Sequence, residues 1–266
     1  MGLLEGKNVL VTGVRDESSI AFQVARVAQQ EGARVVLSSI ARAMELTQAA
    51  AAQLPQPASV IELDVTNDDD LVALPDRLAA EGFTHLDGLV HSIAFAHRTI
   101  MGGSMLEGEW DKVAQCFHTS AYSYKALVAA AKPLMGPGGA MVGLTYDSRF
   151  AWPGYNWMGV AKSALEGVNR YLSRDLGPDG IRCNLVSAGS VITPAAMGVP
   201  GFDEQMRVLE EKLANGQGAG KASLLWDPRT AEPVARGVVA LLSDWFPMTT
   251  GDIVYVDGGA HAVNEE

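Results

Sequence analysis

The sequence predicts an α/β protein, a doubly wound, parallel, seven-stranded sheet with helices on both faces. Short runs rich in β-branched residues alternate with amphipathic stretches of helical period, which is typical of strand–helix–strand crossovers. The strand-like runs are almost continuously hydrophobic, as expected where helices cover both faces of a parallel sheet. Neither a repeat nor a Pro-, Gly- or Ser-rich linker divides the 266 residues, so we expect one domain over residues 1–266.

Each predicted strand ends where a turn or helix signal begins. The predicted strands are Asn8–Thr12, Arg34–Ser38, Ser59–Val65, Leu86–Ser92, Ala140–Thr145, Ile181–Ser187 and Asp252–Val256. The predicted helices are Ser19–Gln30, Arg42–Leu54, Asp68–Ala80, Glu107–Met135, Asn156–Leu176 and Thr230–Ser243. Because parallel strands need right-handed crossovers, this order gives a Rossmann-type sheet with its ligand cleft at the carboxyl ends of the strands.

One segment, residues 193–227 between the sixth strand and the last helix, interrupts the alternation. A connection of this length inside a compact domain is more often a lid or binding loop than a connection without a function. Its first half is apolar and its second half contains the glycine-rich run NGQGAGK, so we expect a substrate-binding lid over an apolar ligand. The alternative is a pair of short helices packed on the core or on a neighbouring subunit.

Composition argues against several classes of function. A net charge of −11 without a Lys/Arg cluster argues against nucleic-acid binding. No apolar run reaches the roughly 18 residues of a membrane span, and the N-terminus lacks a signal peptide, so we expect a cytoplasmic protein without membrane contact. Cys116 and Cys183 lie far apart and are expected in the core, and we expect no metal.

A phosphate site is predicted at the end of the first strand, which reads VTG. Gly13 allows a tight turn, and a helix beginning near Ser18 or Ser19 directs its N-terminus at a pyrophosphate. The usual G-x-G-x-x-G is replaced by Gly13-x5-Ser19-x-Ala21, which keeps small residues where the backbone must approach a cofactor. The alternative is that Ser18 and Ser19 only cap the helix.

Two further strand ends belong to the same cleft because the strands are parallel. Asp64 and Val65 end the third strand, where a carboxylate followed by an apolar residue suits an adenine ring. The fourth strand ends in Ser92-Ile93-Ala94, mostly small residues that let a ribose or a nicotinamide approach. Taken singly, each is more readily a plain strand end than a ligand contact, but together with the phosphate turn they lie along one cleft.

Tyr155 and Lys162 lie seven residues apart in PGYNWMGVAKSALEGVNRYL. That spacing is almost two helical turns, so both side chains are expected on one helix face. A tyrosine hydroxyl near a fixed cation suits a reaction that builds negative charge on a carbonyl oxygen. Alone, each residue is better explained as a surface aromatic or a solvated charge. The dinucleotide-type half that precedes the pair favours the catalytic interpretation.

With these residues the chain resembles the enoyl-(acyl-carrier-protein) reductases, the divergent branch of the short-chain dehydrogenases/reductases, and most closely their mycobacterial, NADH-dependent type. The resemblance covers nearly the whole chain and is carried by SSIAFQVARVAQQEGA, LDGLVHSIAF, SAYSY, PGYNWMGVAKSALEGVNR and TTGDIVYVDGGAH. It implies a homotetramer that reduces a trans-2-enoyl thioester of acyl-carrier protein or CoA with NADH, in fatty-acid biosynthesis.

The resemblance also implies roles for individual residues. Tyr155 acts on the thioester carbonyl, Lys162 on the nicotinamide ribose, and Tyr146 lies beside the reacting double bond. The implied cofactor contacts are Gly13, Ser19, Ile20, Asp64, Val65, Ser92, Ile93, Ala94, Lys162, Val191 and Thr193. The implied substrate contacts are Tyr155, Phe95, Met101, Met158, Ala195, Met197 and Met206.

Several residues depart from the family pattern. Tyr146 stands where the mycobacterial type has Phe, Ser190 where the family usually has Pro, and Ile40 where an aromatic residue often stacks on adenine. The run from Ser38 to Arg42 contains no acidic residue for a ribose 2′-hydroxyl, and Arg42 suits a 2′-phosphate. NADH is therefore the first expectation, and NADPH stays open.

Two alternatives to enoyl reduction remain. Ketoacyl and other carbonyl reductases of the same superfamily place a serine 12 or 13 residues before the tyrosine, where this chain has Gly143 and Val142. The nearest hydroxyls, Thr145 and Ser148, stand at other spacings. The second alternative is a dinucleotide-binding protein without catalysis, which we expect to lack the tyrosine or the lysine, and both are present.

Overall fold

A computed structural model describes residues 2–214 and 226–262 of the chain. The strands are β1 Asn8–Thr12, β2 Arg34–Ser39, β3 Val60–Glu62, β4 Gly88–His91, β5 Ala140–Thr145, β6 Arg182–Ala188 and β7 Ile253–Val256. They form one 7-stranded parallel sheet in the order β3-β2-β1-β4-β5-β6-β7. The order reverses between β1 and β4, so the predicted doubly wound fold is confirmed.

Helices cover both faces of this sheet. The α-helices of the described residues are α1 Ile20–Gln30, α2 Met44–Ala51, α3 Asp68–Ala80, α4 Trp110–Phe117, α5 Ser123–Ala131, α6 Asn156–Leu176, α7 Phe202–Ala214 and α8 Glu232–Leu242. On one face α1 packs on α8 and buries Val24 and Val238, and on the other α3, α5 and α6 bury Leu78, Leu127 and Leu165. The central strands are therefore buried along their whole length.

Three elements were predicted too long. In the two strands among them, the hydrophobic run continues past the last residue that pairs with a neighbouring strand. β3 and β4, predicted at Ser59–Val65 and Leu86–Ser92, keep only the residues that pair with neighbouring strands. The helix predicted at Arg42–Leu54 is replaced by a 3-10 turn at Ala41–Ala43 followed by the shorter α2. Apart from the long helix over residues 107–135, the other predicted bounds agree with the structure to within about two residues, which is the ordinary uncertainty of element ends.

That long helix, predicted as Glu107–Met135, runs from α4 into α5 through a π turn at His118–Tyr122. In this turn the Ser120 hydroxyl accepts a hydrogen bond from the Phe95 N–H at 2.9 Å and donates one to the Phe95 carbonyl at 3.0 Å. π segments inside α-helices are frequent at functional sites. Here the π turn holds the loop that follows β4.

The segment predicted as a lid contains a 3-10 turn at Ala196–Gly198 and helix α7. Phe202 and Met206 of α7 are buried, and so is Trp226. Residues 215–225, which include the glycine-rich run, lie outside the described residues, as do residues 263–266. A regular helix at this place is closer to the packed-helix alternative, and the covering of a ligand stays a prediction.

No helix within residues 2–214 and 226–262 has both the length and the apolar content that crossing a membrane requires. Cys116, in α4, and Cys183, in β6, are buried free thiols, as predicted for core residues.

Candidate active site

The turn after β1 has the geometry of a phosphate site. Gly13 has a φ of +87°, and a Cβ there would lie 2.0 Å from the carbonyl oxygen of Ser92, so this position requires glycine. The Ser92 N–H also donates to the Thr12 hydroxyl at 3.4 Å. The ends of β1 and β4 are therefore in direct contact at the point where the strand order reverses, which is where doubly wound sheets bind ligands.

The N-terminus of α1 is open to a ligand. No side chain caps it, and its first turn contains no acidic residue. Ser19 occupies the N-cap position, but its hydroxyl accepts from the N–H groups of Arg15 and Asp16, both at 3.3 Å, and does not cap the helix. Within the described residues the N–H groups of Ile20 and Ala21 carry no hydrogen bond. Open N–H groups at the positive end of a helix dipole are a common place for phosphate binding.

Asp64 and Val65 lie at the carboxyl end of β3, where they take part in the turn into α3. One carboxylate oxygen of Asp64 accepts from the N–H and the hydroxyl of Thr66 at 2.9 and 2.6 Å, and the Asp64 N–H donates to Asp70 at 2.7 Å. Val65 is buried in the core. Both residues therefore have a role within the fold, and their contact with an adenine stays a prediction.

The loop after β4 is accessible and fixed in place. Ser92 and Ile93 are half-buried, whereas Ala94 and Phe95 are exposed. Because the Phe95 backbone is held by the π turn, the position of this loop depends on the junction of α4 and α5. The structure thus places all four residues at the carboxyl edge of the sheet.

Tyr155 immediately precedes α6, and Lys162 follows it within the helix. Lys162 is buried, and its Nζ donates to the carbonyl oxygen of Leu144 on β5 at 2.9 Å. Burial lowers the pKa of Lys162 to about 8, so the amine is still mainly charged at neutral pH. Burial raises the pKa of Tyr155 well above its usual value, helped by the nearby Tyr146 and Cys116, so this tyrosine stays a hydroxyl donor.

The residue after the tyrosine anchors the start of α6. Asn156 has a φ of +28°, a value that asparagine adopts more readily than most residues. Its side-chain amide donates to the carbonyl of Gly102 at 2.8 Å, and the Gly102 N–H donates to the carbonyl of Gly154 at 3.1 Å. These bonds hold the backbone on both sides of Tyr155, a role that the sequence analysis missed.

Tyr146 directly follows β5 and contacts the predicted donor. Its ring packs edge-on against Tyr155 and Trp152, with centroid distances of 5.4 and 5.5 Å. Its hydroxyl lies 3.4 Å from that of Ser190, which follows β6. The structure therefore brings together the candidate catalytic residues Tyr155 and Tyr146 and Ser190, which stands where the family usually has Pro.

A polar cluster links the segment after β5 to the residues after β7, and the sequence analysis did not predict it. Arg149 forms a two-point ion pair with Asp147 at 2.9 and 2.7 Å and donates to the carbonyl of His261 at 3.1 Å. The His261 ring pairs with Asp257 at 2.9 Å and stacks on Tyr255 at 4.1 Å. The hydrogen bonds from Arg149 hold the pKa of Asp147 below its usual range.

Only part of this polar cluster left a signal in the sequence. Asp147 directly follows a candidate site residue, and Asp257 stands in the C-terminal DGGAH run that carries the family resemblance. Residues 149 and 261, however, are separated by 112 positions, and no local pattern relates them.

A cavity of about 330 Å³ opens between this polar cluster and α7. Its lining includes Tyr146, Trp152, Ser190, Met206 and Trp226. The indole N–H of Trp226 donates to the Ser190 carbonyl at 2.7 Å, which joins the residue after the undescribed segment to the end of β6. Met206 is thus the predicted substrate contact that lines this cavity.

The other predicted contacts fall into separate groups. Met101 and Met158 pack in a small apolar cluster that also includes Tyr155. Ala195 precedes the 3-10 turn after β6 and Met197 lies within it, and both are exposed. Val191 and Thr193, predicted to contact the cofactor, are buried, and the Thr193 hydroxyl accepts from the Ala196 N–H at 3.1 Å.

Comparison with known proteins agrees with this geometry. The family model described as enoyl-(acyl carrier protein) reductase matches residues 13–261. The chain belongs to this family. It is 46% identical to the enoyl-(acyl-carrier-protein) reductase (NADH) of Mycolicibacterium smegmatis and 44% identical to that of Mycobacterium avium, over 97% of both chains in each case. The Staphylococcus aureus family member named for NADPH is 34% identical over 98% of both chains.

The family resemblance predicted from the motifs is confirmed, and a nicotinamide dinucleotide of the kind in its members' names fits the residues present. The Gly13 turn and the open N–H groups of α1 suit its pyrophosphate, and the buried, charged Lys162 lies beside the end of β5. Among the described residues, no group of three or more His, Cys, Asp or Glu side chains has the arrangement of a metal site.

Proposed function

We propose that the protein reduces the carbon–carbon double bond of trans-2-enoyl thioesters, linked to acyl-carrier protein or CoA, with NADH in fatty-acid biosynthesis. The observation that carries the proposal is the ring pair of Tyr155 with Tyr146 at the start of α6, with the buried Lys162 almost two turns further along the same helix. The names of relatives at 46% and 44% identity support it.

When bound, the nicotinamide would supply a hydride for C3 of the enoyl group, and a proton from the solvent would then add at C2 to complete the saturated acyl chain. Tyr155 donates a hydrogen bond to the thioester carbonyl oxygen, where negative charge develops, and its raised pKa keeps that proton in place. Lys162 binds the ribose hydroxyls of the nicotinamide half, and its bond to the Leu144 carbonyl holds the amine in position. Tyr146 flanks the reacting carbons, with its ring packed against that of Tyr155.

The cofactor lies along the carboxyl edge of the sheet in this proposal. Its pyrophosphate binds at Gly13, Ser19 and Ile20, where the N-terminus of α1 is open. The remaining proposed contacts are Ser92, Ile93, Ala94, Val191 and Thr193 on the nicotinamide side, and Asp64 and Val65 on the adenine side.

The acyl chain enters the space between α7 and the segment after β5, in the proposal. Met206 and Trp226 line that cavity, and Met101 and Met158 form the apolar packing near Tyr155. Residues 193–227 act as the lid, with Ala195 and Met197 closing on the chain and Phe95 contacting it from the β4 loop. One domain over residues 1–266, a cytoplasmic location and a homotetramer belong to the same proposal.

Ketone reduction is disfavoured by a specific feature of β5. A Cβ added at Gly143 would lie 2.6 Å from the Leu185 side chain, so the serine that carbonyl reductases place here would have to displace that leucine. Val142 is fully buried. The hydroxyl of Thr145, also buried, lies 3.3 Å from the carbonyl of Tyr146. No described residue at these positions offers a hydroxyl to a ketone oxygen.

The proposal is tested with the purified full chain, by following oxidation of NADH with trans-2-dodecenoyl thioester and, separately, with a 3-ketoacyl thioester. We expect turnover with the enoyl substrate only. Turnover of the ketone alone would assign the protein to the carbonyl reductases, and binding of NADH without turnover of either thioester would favour the non-catalytic alternative.

The homotetramer is tested separately by light scattering after size-exclusion chromatography. Large apolar side chains at Leu106, Trp110, Trp245 and Met248 are between 77% and 96% exposed in the single chain. Side chains of this kind are expected to be covered by other subunits. A monomer at micromolar concentration would contradict this part of the proposal.

A further inference from the structure

The exits of β1 and β2 are tied together by one buried hydroxyl. The Thr47 hydroxyl, on α2, lies 2.8 Å from both the carbonyl oxygen of Val14 and the hydroxyl of Ser39. Arg15 follows Val14 directly, and Arg42 lies three residues beyond Ser39 in the 3-10 turn before α2. The two arginines therefore follow segments that Thr47 holds side by side at the carboxyl edge of the sheet.

Both arginine side chains at this edge are available. Arg15 and Arg42 are exposed, and within the described residues neither guanidinium takes part in an ion pair or hydrogen bond. In contrast, exposed arginines elsewhere, such as Arg174, Arg229 and Arg236, pair with a nearby carboxylate. On a chain with a net charge of −11, two guanidinium groups without a carboxylate partner at this edge of the sheet are cations available to an anionic ligand.

The acidic residues next to these arginines in the chain, Asp16, Glu17 and Glu45, form no ion pair with them within the described residues. Asp16 adjoins Arg15, but one of its carboxylate oxygens accepts from the N–H of Ser18 at 3.0 Å. Glu45 lies in the first turn of α2, one turn beyond Arg42, and forms no ion pair within the described residues. From Ser38 to Ala43, at the exit of β2 itself, the chain has no carboxylate.

In doubly wound dinucleotide sites an acidic residue some 20 positions past the glycine turn binds the ribose 2′-hydroxyl, and an arginine nearby accommodates a 2′-phosphate. The exit of β2 is that place here, and it offers the arginine without the acid. We infer that Arg42, assisted by Arg15, binds the 2′-phosphate of NADPH, which makes NADPH a second cofactor beside NADH. The inference rests on the proposed function, because it assumes that the dinucleotide lies along this edge.

The test is a set of equilibrium titrations of the full chain with NADH, NADPH, ADP-ribose and 2′-phospho-ADP-ribose, read by calorimetry so that no turnover is needed. For the unchanged chain we expect dissociation constants for NADPH and NADH within about tenfold of each other. Arg42→Ala should weaken NADPH and 2′-phospho-ADP-ribose by about tenfold or more, since a charge-assisted contact is lost, and change NADH by less than about twofold. Arg15→Ala should have a smaller effect of the same kind.

Two further variants sharpen the result. Arg174→Ala removes an exposed arginine that pairs with Asp175, and it should leave all four constants unchanged. Ala41→Asp adds a carboxylate beside Arg42 on an exposed turn and should weaken NADPH selectively. Because exposed charges are screened, raising the salt concentration should reduce NADPH affinity more than NADH affinity.

The outcomes separate this inference from the proposed function. If NADH binds while NADPH is more than about a hundredfold weaker, or if Arg42→Ala weakens both nucleotides equally, the inference is overturned and the reductase proposal stands. If neither nucleotide binds, both are overturned.

Discussion

The two halves of the cleft are built by different means. The nucleotide half, at the ends of β1 and β4, is mainly backbone, with a glycine turn at Gly13 and open N–H groups on α1. The proposed substrate half, at the ends of β5, β6 and β7, is made of side chains from distant segments that meet in pairs, Tyr146 with Ser190 and Arg149 with His261. An added side chain at the Gly13 turn should therefore disrupt the fold as well as nucleotide binding. Changes in the substrate half should lower turnover more than they lower stability.

The largest effect is expected from Gly13→Ala. The new Cβ would lie 2.0 Å from the Ser92 carbonyl oxygen in a backbone with a φ of +87°, so the ends of β1 and β4 must separate. Left-handed strain and this clash together should lower the free energy of unfolding by about 3 kcal/mol or more and abolish NADH binding. Chemical denaturation and nucleotide titration measure the two effects.

Gly136→Ala is the matched control for that variant, because no atom lies within 4 Å of the added Cβ and its φ is not positive. It should be close to neutral in both measurements. Near-normal NADH affinity in Gly13→Ala would show that the nucleotide half does not depend on this backbone contact.

The next effect is expected from Tyr155→Phe, which removes the proposed donor to the thioester oxygen and little else. Loss of one such donor typically costs about a hundredfold in turnover. NADH affinity and the melting temperature should stay nearly unchanged, because the Tyr155 ring still packs against Tyr146. Turnover at the normal rate in this variant would remove Tyr155 from the mechanism.

The sequence predicted the features of the cleft that depend on local patterns and missed those that depend on contacts between distant residues. The turn at Gly13 and the Tyr155–Lys162 spacing are local patterns with few physical solutions, and sequence reasoning placed them at the cleft edge. The Arg149–His261 contact and the Ser120 π turn depend on side chains meeting across the fold. Neither has a period or a spacing, so hydrophobic patterning predicted one uninterrupted helix where the π turn lies.

Lys162 lies on α6, and its amine is bonded to the carbonyl of Leu144 on β5. Loss of the proton from this amine should change the affinity for the cofactor. With a pKa of about 8, the free protein holds a charged amine below that pH and a neutral one above it. If binding needs the charge, NADH affinity should be constant below pH 8 and fall as pH rises through it, by up to about tenfold per pH unit. Titrations from neutral to alkaline pH measure this, and Lys162→Met should bind more weakly with a flat profile. Tyr155 does not complicate the profile because its pKa is raised out of this range.

The smallest effect is expected from Arg149→Met. This change removes the ion pair with Asp147, the residue that directly follows Tyr146. The Arg149 side chain is 45% exposed, so solvent screening should limit the loss of stability to about 1 kcal/mol. Because Asp147 then loses its partner and the adjoining Tyr146 shifts, turnover should fall several-fold while NADH affinity stays within about twofold. Steady-state kinetics and nucleotide titration give the two numbers.

Arg236→Met is the control for that variant, since it breaks a more exposed ion pair, with Glu232 on α8, away from the proposed site. Its turnover should be unchanged. If Arg149→Met weakened NADH binding as strongly as it lowered turnover, the polar cluster would support both halves of the cleft. The separation between a backbone-built nucleotide half and a side-chain-built substrate half would then fail, because the contact between residues 149 and 261 would act on the whole carboxyl edge of the sheet.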